Sequence, residues 1–192
     1  AALGLGSLLM QFVRSLIQFR RNQPTVRRKK FLSGVPDSKD GWADVSWYNP
    51  LGTAIDWQHD ELPIICLLAA PDSIDDPKEI GRDVLLLINS SGQGCRFMIP
   101  AIAKSKNWRL FADTSAESPK DIYANMDGPA LSKSASHTLP HKSMAVYVAI
   151  GKYQNDRPQL TEVDHIGGNS PALGDSQLPS NSQGGVKTLH GS

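Results

Sequence analysis

The sequence predicts a mainly β fold, an antiparallel Greek-key β-sandwich preceded by one amphipathic α-helix. Three observations carry that expectation. Six short apolar or alternating runs, at 44–48, 63–69, 83–89, 96–99, 108–113 and 144–149, are separated by turn-rich stretches such as NPLG, PDSIDDPKEIG, SSGQG and AKSKN. Strands so closely spaced, with no helices between them, pair antiparallel and close into two layers. Ahead of them, apolar residues recur at helical rather than strand spacing. Behind them, the composition turns to Gly, Ser, Asn, Gln and Pro.

The helix is expected from Ser7 to about Gln23. Leu9, Phe12, Val13, Leu16 and Ile17 form one apolar stripe. Ser7 follows Gly4 and Gly6 and suits the N-cap, while Pro24 marks the stop. Such a stripe needs a covering layer. Residues 1–30 therefore read as a helix plus a basic linker, 31–150 as the β-domain, and 151–192 as a tail. The tail holds few large apolar side chains and is expected to be disordered, because it cannot offset its ordering entropy by burial.

Within the β-domain, 84–88 is apolar throughout, as a central strand requires. The runs RFMI and WRLF are mixed, which suits half-buried strands. Alternation puts Val45 and Trp47 on one face of the first strand and Ser46 and Tyr48 on the other. A ring as large as Trp47 is then expected to point into the core.

The chain has 192 residues and a formal net charge of +1, so no global field steers it to nucleic acid or acidic substrates. The basic residues are nevertheless uneven. Arg14, Arg20, Arg21, Arg27, Arg28, Lys29 and Lys30 precede the first acid, Asp37. The run RRKK lacks the interleaved aromatics of a base-stacking surface and reads as a solvated connection, with a nucleic-acid arm as the competing reading. Cys66 and Cys95 lie in apolar segments and read most simply as reduced thiols of a cytoplasmic protein; the sequence also allows a disulfide between them. The opening AALGLGSLLM has no basic n-region, and its start on Ala1 suggests a fragment or a processed product. The longest apolar runs fall well short of the roughly 20 residues a membrane-spanning helix needs.

Chemistry-bearing patterns are sparse. A glycosidase needs two carboxyl groups about 5–9 Å apart across the sugar. Asp56, Asp60 and Glu61 supply acids in one loop, but nothing fixes their facing. Five histidines are present, His59, His137, His141, His165 and His190. His137 and His141 flank Leu139-Pro140, which reads as a loop, and no CxxC or HExxH occurs. No nucleophile elbow, phosphate loop or dinucleotide fingerprint is found. No catalytic residue, metal site or cofactor is therefore assigned. Sugar contact is left to Trp57, Asp56 and Trp42, aromatic and acidic residues that alternation does not commit to the core.

The order of segments resembles a known family. LIQFRRNQPTVRRKKF leads into DVSWYNPLGTAIDW, followed by LPIICLLAAP, RDVLLLINSSGQGCRFMIP, NWRLFADTSAESP and SMAVYVAI. This is similar to the C-terminal part of bacterial glycogen debranching enzymes of the isoamylase type, in the α-amylase superfamily. There the last barrel helix carries a pattern like LixLRrxHPxLRRxxF. Segments like DVxWxxPxGxxMxxxDW, DxLLLLNA and WxLLxDT follow in the same order. The resemblance spans about residues 8–150. Gln23 stands where the family has a histidine, and the stretch between Gly52 and Asp56 is shorter than in the family.

The resemblance implies a parent enzyme that hydrolyses α-1,6 branch linkages of glycogen or limit dextrins with retention. Its catalytic carboxylates lie on a barrel of about 250 residues, so none carries over to this chain. It also implies a partner for the helix, the barrel itself, met through Leu9, Phe12, Val13, Leu16 and Ile17. Three functions follow as expectations: a non-catalytic accessory domain of a glycogen-debranching hydrolase, a stand-alone α-glucan-binding module using exposed tryptophans, or an interaction protein with a basic N-terminal arm. The first is preferred, in the cytoplasm, with no nucleic-acid or membrane partner.

Overall fold

A computed structural model describes residues 2–36, 42–58, 63–71, 80–131 and 136–151. The expected tail from 152 onward lies outside the described residues, as do Asp60, Glu61, His59, His165 and His190. The described chain is mostly β, with a five-stranded antiparallel sheet, a two-stranded sheet and one helix.

The helix, α1 (Ala2–Asn22), begins five residues before the expected cap. Gly4 and Gly6 lie inside it, and the Ser7 hydroxyl donates to the Gly4 carbonyl at 2.8 Å instead of capping an N–H. The glycines misdirect sequence reading because each costs about 1 kcal/mol of helix propensity relative to alanine without forbidding the helix. Pro24 does end it. The Gln23 N–H bonds to Phe19 O at 2.9 Å, and Pro24–Val26 form a single 3-10 turn.

The strands are β1 (Val45–Tyr48), β2 (Ile64–Leu68), β3 (Val84–Asn89), β4 (Cys95–Met98), β5 (Trp108–Asp113), β6 (Ser136–Leu139) and β7 (Ser143–Ala149). The larger sheet runs β1-β2-β3-β7-β5, and β4 pairs with β6. After β3 the chain leaves the larger sheet for β4, returns as the edge strand β5, crosses to β6, and re-enters as β7 between β3 and β5. Six of the seven strands match expected runs. β6 does not, and it places His137 in a strand instead of the expected loop. Its four residues, Ser-His-Thr-Leu, carry one large apolar side chain, Leu139. Pairing with β4 makes them a strand, not any local preference.

Register sorts the larger sheet into two faces. One row reads Ser46, Leu67, Leu85, Tyr147 and Leu110 across the strands. The next reads Trp47, Cys66, Leu86, Val146 and Ala112. The first face packs with Phe97 and Leu139 of the smaller sheet, together with Ile99, Ala103 and Trp108, into the principal core. The second face meets α1. Phe12, Leu16 and Phe19 pack there against Val84, Phe111, Ala112, Val146 and Val148. A bulge in β5 inserts Phe111 between Leu110 and Ala112, so two consecutive side chains serve the helix side. The Phe111 ring stacks on Phe19 with centroids 4.1 Å apart.

Two buried polar side chains bracket β3. At its end, Asn89 Nδ2 donates to the carbonyls of Gln93, Leu139 and Pro140 at 2.8, 3.2 and 2.8 Å. Its Oδ1 accepts from the Ser91 N–H and hydroxyl. Just before its start, Asp83 accepts from Ala70 N–H at 2.8 Å and pairs with Lys106 at 3.3 Å. Both residues belong to the DVLLLIN segment. That motif therefore codes a central strand with a polar anchor at each end.

Candidate functional site

The segment DVSWYNPLGTAIDW forms a corner at the β1 edge of the larger sheet. Asp44 opens it. Its carboxylate accepts the N–H groups of Ser33 and Gly34, each at 2.8 Å. Burial raises its pKa, but these bonds outweigh burial and hold the group below its ordinary value. Asn49 makes the turn. Its Oδ1 accepts from Leu51 N–H, Thr53 N–H and the Thr53 hydroxyl. Gly52 has φ +77°, and a Cβ there would lie 2.7 Å from the Met98 carbonyl oxygen. Only glycine fits that close approach. The Met98 N–H bonds to Pro50 O at 2.7 Å, which ties the turn to β4. The returning chain then covers the edge strand. Ile55 N–H donates to Trp47 O at 3.2 Å, and Tyr48 bridges to Ala54.

This corner presents two tryptophans. Trp47 is 37 % exposed and Trp57 63 % exposed. Their rings meet edge to face, with centroids 5.8 Å apart and planes inclined by 69°. Alternation correctly separates Trp47 from Tyr48 but assigns the wrong one inward. Tyr48 packs on the principal core, and Trp47 lies on the helix side. The reason is the edge position of β1. The helix-side cluster draws on β2, β3, β5 and β7 but on no residue of β1, so the ring has no layer above it. Apolar residues on both faces of a sheet remove the contrast that alternation depends on.

The three residues assigned to sugar contact fall in different settings. Trp57 and Asp56 are exposed at the corner, and Asp56 Oδ1 accepts the Gln58 N–H at 3.0 Å. Trp42 instead packs against the principal core, with the Lys106 ammonium 4.8 Å from its ring centroid. Trp47 is the corner residue that sequence reasoning missed. A readable signal was its place on the first strand, where an edge is expected.

Other titratable groups are structural in setting. His137 Nδ1 lies 2.9 Å from the Tyr147 hydroxyl, joining the smaller sheet to the larger. Its buried Nε2 has no hydrogen-bond partner among the described residues. Burial lowers the His137 pKa, and nearby Asp113 opposes that. Burial and Asp113 together push Tyr147 up to about 12. Cys66 and Cys95 are both free. Cys66 faces the helix side while Cys95 packs on the principal core, so the disulfide alternative is closed by the sheet between them. Burial raises both thiols, Cys66 to about 12. No group of three metal-ligating side chains occurs among the described residues. No described helix is long and apolar enough to cross a membrane.

The N-terminal segment is half covered. Phe12 and Leu16 of the expected stripe pack on the sheet, but Leu9, Val13 and Ile17 remain exposed, as do Leu8 and Met10. Beyond the helix, Phe31 is fully exposed and Leu32 and Val35 largely so. Arg28 of the basic run is not a solvated arm. Its guanidinium donates to the Ala69 carbonyl. No protein-family model matches the chain. A comparison with curated proteins gives no match either.

Proposed function

We propose that this chain is a non-catalytic accessory domain of an isoamylase-type glycogen-debranching hydrolase, acting in cytoplasmic glycogen breakdown. In this reading its two sheets form a Greek-key sandwich, and α1 is the last helix of the catalytic barrel. The observation that carries the reading is the division of α1. Phe12, Leu16 and Phe19 are held by the sheet, whereas Leu9, Met10, Val13 and Ile17 meet no layer of this domain. A helix apolar on more than one side belongs between two layers. Phe31, the final residue of the family-like RRxxF pattern, is likewise left uncovered. Supporting this, the residues shared with the family-like motifs are fold-holding ones. Asp44, Gly52, Asp83 and Asn89 each anchor a turn or a strand end.

The test is complementation. The purified chain is expected to release no reducing ends from glycogen or amylopectin. Added to an isoamylase-type barrel expressed without its C-terminal domain, it should bind and raise debranching. The triple substitution Leu9→Asp, Val13→Asp, Ile17→Asp should abolish binding while leaving the β-domain's circular dichroism unchanged. Hydrolysis by the chain alone, or barrel binding indifferent to the triple substitution, would overturn the proposal.

A further inference from the structure

We infer that the open row of α1 receives one helix of another protein layer, apolar along its centre and acidic along its flanks. Resting on the reading of α1 as a helix held between two layers, this gives the second layer its chemistry. Two seams run along α1. Phe12, Leu16 and Phe19, spaced by four and three residues, pack on the sheet. Gly6, Met10, Val13, Ile17 and Arg20 recur at intervals of four, three, four and three, and all are exposed. That alternation is the seam by which one helix meets another. A helix that only capped the sheet would need the first seam alone.

Charge decides which helix fits. No Asp or Glu occurs on α1. Arg14 and Arg21 stand seven residues apart, each directly after a seam residue, so they lie on one flank of the open row. At about 100° per residue that flank points away from the sheet, and both arginines are exposed. Charges at such flanking positions select the partner across a helix pair. Arg20 stands in the row itself, and a guanidinium taken out of water there needs a carboxylate opposite it. On the other flank Leu9 is exposed and apolar, so it extends the apolar centre.

The same arginines exclude a second copy of the chain. Antiparallel pairing of two α1 rows sets the Arg14 and Arg21 flank against itself, and parallel pairing sets Arg20 against Arg20. Like charges so placed repel. A lipid surface fits less well than a helix, because a helix lies in a lipid interface by a broad apolar face with its cations on the polar side. Here the open row is a narrow seam closed by Arg20. Opposite charge on a facing helix satisfies all three arginines at once. It also steers the encounter and suppresses wrong partners.

The experiment titrates the full chain with two helical peptides as long as α1. Both carry a leucine seam, flanked by Glu in one and by Lys in the other. The Glu-flanked peptide is expected to bind, shifting backbone NMR signals of α1 and leaving the β4–β6 sheet unmoved. Its affinity should fall at least about tenfold as salt rises from roughly 50 to 500 mM. Val13→Asp with Ile17→Asp should abolish binding. Arg14→Glu with Arg21→Glu should exchange the preference, so that the Lys-flanked peptide binds instead. Sedimentation at low salt should find the chain monomeric. Equal binding of the two peptides, binding of neither at millimolar concentration, or a preference that survives the charge exchange would overturn the inference. Dimers at low salt, or capture by phosphatidylserine vesicles without binding of the Glu-flanked peptide, would overturn it in favour of a second copy or a lipid surface. If an isoamylase-type barrel binds the chain regardless of the charge exchange, the acidic flank falls and the debranching reading stands. If the Glu-flanked peptide binds and the barrel does not, the helix partner stands and the debranching parent falls.

Discussion

The two faces of the larger sheet are equally apolar but are closed in different ways. On one face, Ile65, Leu67, Leu85, Leu87 and Tyr147 meet the smaller sheet and form a core that the domain completes by itself. On the other, α1 covers β3, β5 and β7 but leaves β1 and half of its own apolar surface open. The difference teaches where stability and function part. Residues of the closed face answer to folding, whereas those of the open face are free to answer to a partner. Substitutions should separate the two faces by their effect on stability.

The largest loss is expected at Asn89, on the closed side. Its amide satisfies three carbonyls and takes two donors at the junction of β3, the 90–94 turn and the end of β6. Asn89→Ala leaves several of these groups buried and unpaired, costing about 3 kcal/mol or more. Urea unfolding should show a lower midpoint at an unchanged slope. A loss under 1 kcal/mol would show that water replaces the amide and that this face is less closed than its packing indicates.

The position of that anchor was half legible. The run 83–89 announced a central strand, and its Asp and Asn were visible at either end. Their roles were not, because Asn89 depends on carbonyls about fifty residues away at the end of β6 and just beyond it, and Asp83 on the Ala70 N–H and Lys106. β6 itself was hidden, since Ser-His-Thr-Leu has no periodic apolar signal and forms by pairing. Trp47 was misassigned for a related reason. Alternation fixes which residues share a face, but only topology says which face a helix covers and how far it reaches. Gly4 and Gly6 concealed the start of α1 because propensity is a weak prior. By contrast NPLG declared its turn through Asn49 and Gly52, whose requirements are local.

On the half-closed face, Phe19 is the sharpest probe. It stacks on Phe111 and anchors the last turn of α1. Because the ring is only partly buried, Phe19→Ala should cost about 2 kcal/mol, less than full truncation in a closed core. Val13→Asp, nearly two turns earlier on the open side, should cost nearly nothing to the isolated domain. Equal losses at the two positions would mean that the outer face is already covered, for example by a second copy.

Acid should strain the closed face. His137 is half-buried between the sheets with its pKa lowered, so the folded state resists a proton that the unfolded chain accepts below about 6.5. In the window from 6.5 down to the lowered value, the unfolded state binds more protons and stability falls as pH falls. Asp113, whose charge favours the imidazolium, moderates the effect, and Tyr147 stays neutral throughout. Asp44 adds a second loss only below its ordinary value near 3.8, where protonation releases Ser33 and Gly34. Urea midpoints between pH 7 and 5 should therefore decline, and His137→Phe should flatten that decline. A slope unchanged by His137→Phe would place the sensitivity elsewhere.

The smallest effect tests the helix start. A Cβ built on Gly6 meets nothing within 4 Å, so Gly6→Ala adds no contact in the domain. It removes backbone freedom from the unfolded chain and should favour the first turns of α1 by about 0.5–1 kcal/mol. Those turns carry Leu8, Leu9 and Met10, which the sheet does not hold. If the first turns form independently of the rest of the domain, the substitution should slow amide exchange at 6–10 and leave the global midpoint unchanged. If instead the midpoint rises with it, α1 and the sheet unfold as one unit. The open face would then be held in place before any partner arrives.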